Sequence, residues 1–240
     1  MTMMETAKAP VMKARIAGLL YLLVIAGGLF AEAGVRQQLI VGGDPAATAQ
    51  NILDNQSLFR VGFAVNLAYL LCNIPFAALF YAIFSPASRM IALMAALLVV
   101  ATTAIEAVNL FHHVDALDLL VSANLSGFTP EQLQQMSYAS LDAFGTGFAV
   151  SLVFFGVACI LYGWLILQSG FTPRLIGLLM AIGGVCYLIN SFAMFLAPDL
   201  ASAMFPYILL PSLVGEASFA LWLTIMGVDR KRWTNAAAAV

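Results

Sequence analysis

Apolar residues along this chain run in long unbroken stretches, with polar residues confined mostly to the joints between them. Six such runs stand out: Ala14–Val35, Phe59–Phe84, Met90–His112, Leu141–Gln168, Leu175–Ala197 and Pro206–Val228. Each is long enough for the roughly 20 mostly apolar residues that a helix needs to cross a bilayer. Backbone groups in hydrocarbon must be satisfied within their own segment, and period-2 alternation is absent, so the runs predict helices rather than barrel strands. The predicted fold is an all-α membrane protein: a bundle of six transmembrane helices, with residues 14–233 forming one domain. Residues 1–13 read as a mobile tail and 234–240 as an Ala-rich one.

The joints carry their own patterns. Val41-Gly42-Gly43-Asp44-Pro45 is a turn signal. Ala46–Leu58 then sets Ala47, Ile52, Leu53 and Leu58 among polar residues, predicting a short amphipathic helix at the outer interface. Asp115–Leu125 prolongs the third span. Thr129-Pro130-Glu131 is a helix start, with Thr as N-cap and Pro at the first helical position. Helices three and four are therefore expected to have extended outer ends. The cytoplasmic joints, Ser85–Arg89 and Gln168–Arg174, are short enough to make neighbouring helices antiparallel.

Composition agrees with the pattern: 62% of residues are hydrophobic, 9% are charged, and mean hydropathy is +0.96. Soluble domains carry about 25% charged residues. The net charge of −2 decides nothing, but its distribution does. Of the 10 Lys and Arg residues, Lys8, Lys13, Arg15, Arg89, Arg174, Arg230, Lys231 and Arg232 fall on one side of the predicted spans, and only Arg36 and Arg60 on the other. The positive-inside rule then places both termini in the cytoplasm. The expected location is the bacterial inner membrane, with membrane lipids as surroundings. No basic, aromatic-interleaved surface points to nucleic acid.

Lys13 and Arg15, the apolar run and Ala31-Glu32-Ala33 also resemble a secretory signal with its cleavage site, although the run is long for one. Cys72, Cys159 and Cys186 lie inside predicted spans without paired spacing, as small buried residues do. A weak repeat marks Arg15, Arg89 and Arg174, each followed by a small residue three later and Leu four later. Glu32, Glu106 and Ser191 each stand 17 residues beyond their Arg. Three copies of a two-helix hairpin would give this pattern, and so would the shared needs of any cytoplasmic helix start.

The order of several features resembles a bacterial membrane family known only as domain of unknown function 4386. They are Ala14–Leu19, Leu58-Phe59-Arg60, Phe154-Phe155-Gly156, Ser169–Arg174, Asn190-Ser191-Phe192 with Ala197-Pro198, and Gly215-Glu216 with Leu221-Trp222-Leu223. The resemblance covers about residues 14 to 233. It implies a multi-span inner-membrane protein and brings no activity, cofactor or site residue with it.

Candidate chemistry rests on polar residues inside the apolar runs, where an ionisable group needs a partner or a cavity. Glu106, Asn109 and His113 share one face of the third helix. Asn66 and Asn73 lie on the second, Asn190 on the fifth and Glu216 on the sixth, with Asp142 opening the fourth. By depth these groups gather in the outer half, which predicts one polar cavity there.

Three readings compete for it. Interhelical hydrogen bonds worth about 0.6–2 kcal/mol each would make it structural, in a structural or regulatory membrane subunit. A ligand or transport site would use Glu106 or Glu216 as a counter-ion for a small amphipathic or cationic molecule. Glu106, Asn109, Asn190, Glu216, Asn66 and Asn73 would line it, with Pro75, Pro206 and Pro211 bending the helices. A metal-dependent hydrolase would draw zinc or iron ligands from His113, Glu106, His112 and Asp142. The ligand reading is the one favoured from sequence, with no cofactor assigned. Tyr21, Tyr162, Trp164, Trp222 and Trp233 read as interfacial anchors and fillers.

Overall fold

The computed structural model describes residues 3–122, 125 and 127–238, so the ends of the expected tails and Ala123, Asn124 and Ser126 lie outside the described residues. The described residues are helical with short joints and contain no strand. The helices are α1 (Met3–Leu29), α2 (Gln37–Leu39), α3 (Pro45–Asp54), α4 (Gln56–Phe84), α5 (Arg89–Val121), α6 (Pro130–Ser169), α7 (Arg174–Leu196), α8 (Pro198–Met204), α9 (Leu210–Ile225) and α10 (Arg230–Ala238). Among the described residues, 6 helical stretches are long and apolar enough to cross a membrane. They coincide with the six apolar runs. Leu71, Val108, Phe111, Leu175 and Leu196 stand exposed on them, as side chains facing lipid tails must.

Local chemistry explains where the helices begin. Asp44 caps α3, its Oδ1 accepting the Ala47 amide at 2.9 Å, and Pro45 takes the first helical position. Thr129 and Gln132 cap α6 reciprocally: the Gln132 amide donates to Thr129 Oγ1 at 3.3 Å, and the Thr129 amide donates to Gln132 Oε1 at 2.8 Å. With 33 and 40 residues, α5 and α6 are the longest helices, about 50 and 60 Å against a hydrocarbon layer of about 30 Å.

Two features depart from expectation. Between α1 and α2, Phe30–Arg36 forms a π-helical segment rather than a continuation of the α-helix. Such segments are rare and often accompany functional sites. Pro211 does not bend the middle of a span: it sits in the first turn of α9, where a missing amide hydrogen breaks no helical bond.

The chain divides into two compact units. Unit 1 comprises Met1–Ile25, Cys72–Thr103 and Ala149–Val240. Its core is an aromatic column in which Phe80 packs on Tyr162 with ring centroids 3.7 Å apart, Phe80 stacks on Phe84 at 4.5 Å, and Tyr21 stacks on Phe76 at 4.5 Å. Helices α6 and α7 touch backbone to backbone: a Cβ on Gly163 would fall 2.5 Å from the Gly177 carbonyl oxygen, and one on Gly184 would fall 2.5 Å from that of Gly156. Small residues permit this approach, and van der Waals packing drives helix association where lipid offers no hydrophobic gain. Ser212 on α9 donates to the Gly183 carbonyl at 2.7 Å, binding α9 to α7.

Unit 2 comprises Ala26–Leu71 and Ala104–Phe148. Its apolar core gathers Val35, Leu39, Ile52, Phe59, Ala116, Leu117 and Leu141. Ile52 is the buried face of α3, which is shorter than the Ala46–Leu58 helix expected, because the chain turns at Asn55 and enters α4.

Candidate functional site

In unit 2, the polar groups converge where α4, α5 and α6 meet. Glu106 on α5 is half-buried and accepts the Tyr69 hydroxyl from α4 at 3.0 Å. Asn66, one turn before Tyr69, is buried and turns its amide back to the Gly62 carbonyl at 3.0 Å. Asn109, one turn after Glu106, donates to the Phe144 carbonyl of α6 at 2.8 Å. Gly147 makes that reach possible, since a Cβ there would lie 2.0 Å from Asn109 Oδ1. Asn66, Tyr69, Glu106, Asn109, Phe144 and Phe148 line a narrow crevice with no room for a free water molecule. An acidic oxygen, two amides and three aromatic rings therefore face one narrow gap.

Arg36 and His113 pack around the same Phe144 ring. The Arg36 guanidinium carbon stands 4.6 Å from the ring centroid, and the His113 ring lies edge-on at 6.1 Å. Arg36 is only 6% exposed, and its Nε donates to Glu32 Oε2 at 2.7 Å across one turn of the π-helical segment. His113 is stacked on Phe59 at 3.9 Å with Nε2 3.0 Å from the Phe59 carbonyl. A carbonyl only accepts, so Nε2 carries a proton. Both Arg36 Nη1 and His113 Nδ1 are buried without a partner.

In unit 1, Glu216 on α9 is buried and accepts two tyrosine hydroxyls, one on each carboxylate oxygen. Tyr21 of α1 donates to Oε2 at 2.9 Å, and Tyr187 of α7 donates to Oε1. Tyr21 is itself held by the Phe76 stack and by an edge contact with Phe219 at 6.3 Å. The result is a closed clasp joining three helices. Asn73 and Asn190 are buried in this unit as well.

The six residues expected around one cavity thus fall into two sets. Asn66, Glu106 and Asn109 belong to unit 2, and Asn73, Asn190 and Glu216 to unit 1. The conditional metal set of His113, Glu106, His112 and Asp142 does not assemble: among the described residues no three His, Cys, Asp or Glu side chains come together as ligands. Asp142 is exposed, and His113 gives Nε2 to the Phe59 carbonyl.

With this geometry in place, comparison with known proteins adds one firm result. The family described as a domain of unknown function (DUF4386) matches residues 16–227. The chain belongs to the DUF4386 family. An uncharacterized protein of Archaeoglobus fulgidus is 31% identical over 87 residues, 36% of this chain and 50% of its own length. The chain thus spans about half the length of that curated relative. No solved structure matches.

This DUF4386 chain also uses residues that sequence reading passed over. Tyr69 and Tyr187 supply hydroxyls to the two carboxylates, while Tyr21 and Tyr162, read from sequence as anchors or fillers, are fully buried as fillers are. Arg36, placed from sequence on the outer side of the spans, is buried. The four-residue spacing of Glu32 and Arg36 was the available signal, since opposite charges so placed pair on a helix.

Proposed function

We propose that this DUF4386 protein binds, and in doing so carries or senses, a small organic cation in the unit 2 crevice, with Glu106 as its counter-ion. The supporting observation is the makeup of the crevice. Glu106 is combined there with Tyr69, Phe144 and Phe148 rings and with the Asn66 and Asn109 amides. A carboxylate beside aromatic faces is a receptor for an alkylammonium ion, because the ring quadrupoles attract the charge that the carboxylate neutralises. Few places in an apolar chain offer both. The crevice is closed to water in this conformation, so binding selects or creates a wider one.

The setting we propose is the bacterial inner membrane with both termini cytoplasmic, a reading that the Lys and Arg distribution supports. Glu106 then lies toward the outer end of its span, 17 residues beyond Arg89. The ligand is small and partly apolar, matching the lining.

Titration of the purified, lipid-reconstituted protein with tetramethylammonium, followed by saturation-transfer NMR, tests the reading. Wild type should bind, Glu106→Gln should bind at least about tenfold more weakly, and Glu216→Gln should retain wild-type affinity. Equal binding by wild type and Glu106→Gln would remove Glu106 from the site.

A further inference from the structure

Unit 1 gathers its cations at one end, and α10 ties that end together. The Trp233 indole donates to the Ile83 carbonyl at 2.8 Å, joining α10 to the last turn of α4, six residues before Arg89. Arg232 Nη1 donates to the Gly170 carbonyl at 2.8 Å, and the Asp229 amide donates to the Phe171 carbonyl at 3.0 Å. Both bonds reach the joint that leads into Arg174 and α7. Arg15 of α1 donates to the Ile225 carbonyl at the close of α9 at 3.1 Å, and a Cβ on Gly227 would lie 3.0 Å from the Val11 side chain. The ends of α4, α6 and α9 therefore meet Val11–Arg15 of α1 in one place. Setting topology requires only that cations stay on one side of the membrane. Here side-chain bonds to the carbonyls of other elements hold them as a group.

The charges at this end are largely unanswered. Lys13, Arg174, Arg230 and Lys231 are exposed, and among the described residues no carboxylate forms an ion pair with them. Asp229 is the acid among the described side chains there, and Arg232 occupies it. Its Oδ1 accepts the Arg232 amide at 3.0 Å, and its Oδ2 lies 3.8 Å from Arg232 Nε. Arg230, Lys231 and Arg232 also fill the first turn of α10, where positive charge opposes the helix dipole. An anion among these side chains relieves both their mutual repulsion and that opposition.

Exposed cations alone suit many anions, and their neighbours in the chain decide between them. Met12 adjoins Lys13, Met90 adjoins Arg89 and Leu175 adjoins Arg174, and all three are more than 60% exposed. A cation beside an exposed apolar side chain matches a molecule with a charged head and an apolar tail. A soluble phosphate or a nucleic acid would leave the apolar half of each pair unmet. We infer that this end of unit 1 binds an anionic phospholipid, with Lys13, Arg174, Arg230 and Lys231 holding the headgroup phosphate. The inference is independent of the cation proposed at Glu106, which belongs to unit 2.

The test titrates the full chain in detergent micelles with dioctanoyl phosphatidylglycerol, dioctanoyl phosphatidylcholine and glycerol 3-phosphate, reading binding by microscale thermophoresis. Wild type should bind phosphatidylglycerol at least about tenfold more tightly than either of the others. Arg230→Gln combined with Lys231→Gln should remove most of that preference, and so should Lys13→Gln combined with Arg174→Gln. These side chains are exposed, so thermal midpoints should stay at the wild-type value. Arg60→Gln, in unit 2, should bind as wild type does. Equal affinity for the two phospholipids would overturn the inference. Glycerol 3-phosphate binding as tightly as phosphatidylglycerol would overturn it too, leaving a site for soluble phosphate. So would a full wild-type preference in both double variants. Should one pair fail to fold, the other decides.

Discussion

Glu106 and Glu216 are alike in type and in bonding, each accepting tyrosine hydroxyls within an apolar helix, yet their surroundings give them different work. Glu216 is buried, with a donor on each carboxylate oxygen and helices α1 and α7 supplying them. Glu106 is half-buried, with Tyr69 on one oxygen and an aromatic crevice beside it. A carboxylate whose acceptor capacity is met by its own protein holds helices together. One that lies half-buried beside an aromatic gap is where the proposed cation would sit. The comparison separates the structural and ligand-binding readings of a membrane-buried acid by geometry rather than by residue type.

The sharpest way to break this contrast is to remove each carboxylate. Glu216→Leu leaves the Tyr21 and Tyr187 hydroxyls without their acceptor, a loss of about 2–4 kcal/mol that should appear as a large drop in thermal midpoint in detergent. Adding Tyr21→Phe and Tyr187→Phe to that variant removes the stranded donors and should recover most of the loss. A Glu216→Leu protein as stable as wild type would show that the clasp holds nothing. Glu106→Leu takes the acceptor from the Tyr69 hydroxyl at a half-buried position, and should lower stability less than Glu216→Leu does while abolishing cation binding. Equal destabilisation by the two substitutions would erase the distinction.

Much of the fold was legible because its main constraint is local. A run of 20 apolar residues must be helical in lipid whatever surrounds it, so all six spans were readable without tertiary information. The start of α6 was readable too, since Thr129 and Pro130 cap a helix through contacts only three residues long. The sites were less legible. Depth along a helix places Glu106 and Glu216 in a layer but says nothing of which neighbour each faces, so their tyrosine partners were not readable. Tyrosine is equally at home at an interface or in a core, and only packing distinguishes Tyr21, stacked on Phe76, from an anchor. The π-helical turn at Phe30–Arg36 was hidden as well. A shift from α to π bonding leaves no mark in hydrophobic periodicity.

The finest test of the comparison removes one hydroxyl from each carboxylate. Tyr187→Phe takes one donor from the buried Glu216 and leaves the Tyr21 hydroxyl on the other carboxylate oxygen. Its loss should be about 1 kcal/mol, with the Phe155 ring contact at 5.7 Å preserved by the phenyl group. Tyr69→Phe takes the hydroxyl from Glu106, which is half-buried where Glu216 is buried. Stability should therefore change by less than about 0.5 kcal/mol. Cation affinity should hold or rise, because the competing donor is gone while the ring face remains. Thermal midpoints and tetramethylammonium titrations of the two variants, measured side by side, check both halves. A Tyr69→Phe protein that loses more stability than Tyr187→Phe would make Glu106 the clasp and Glu216 the site.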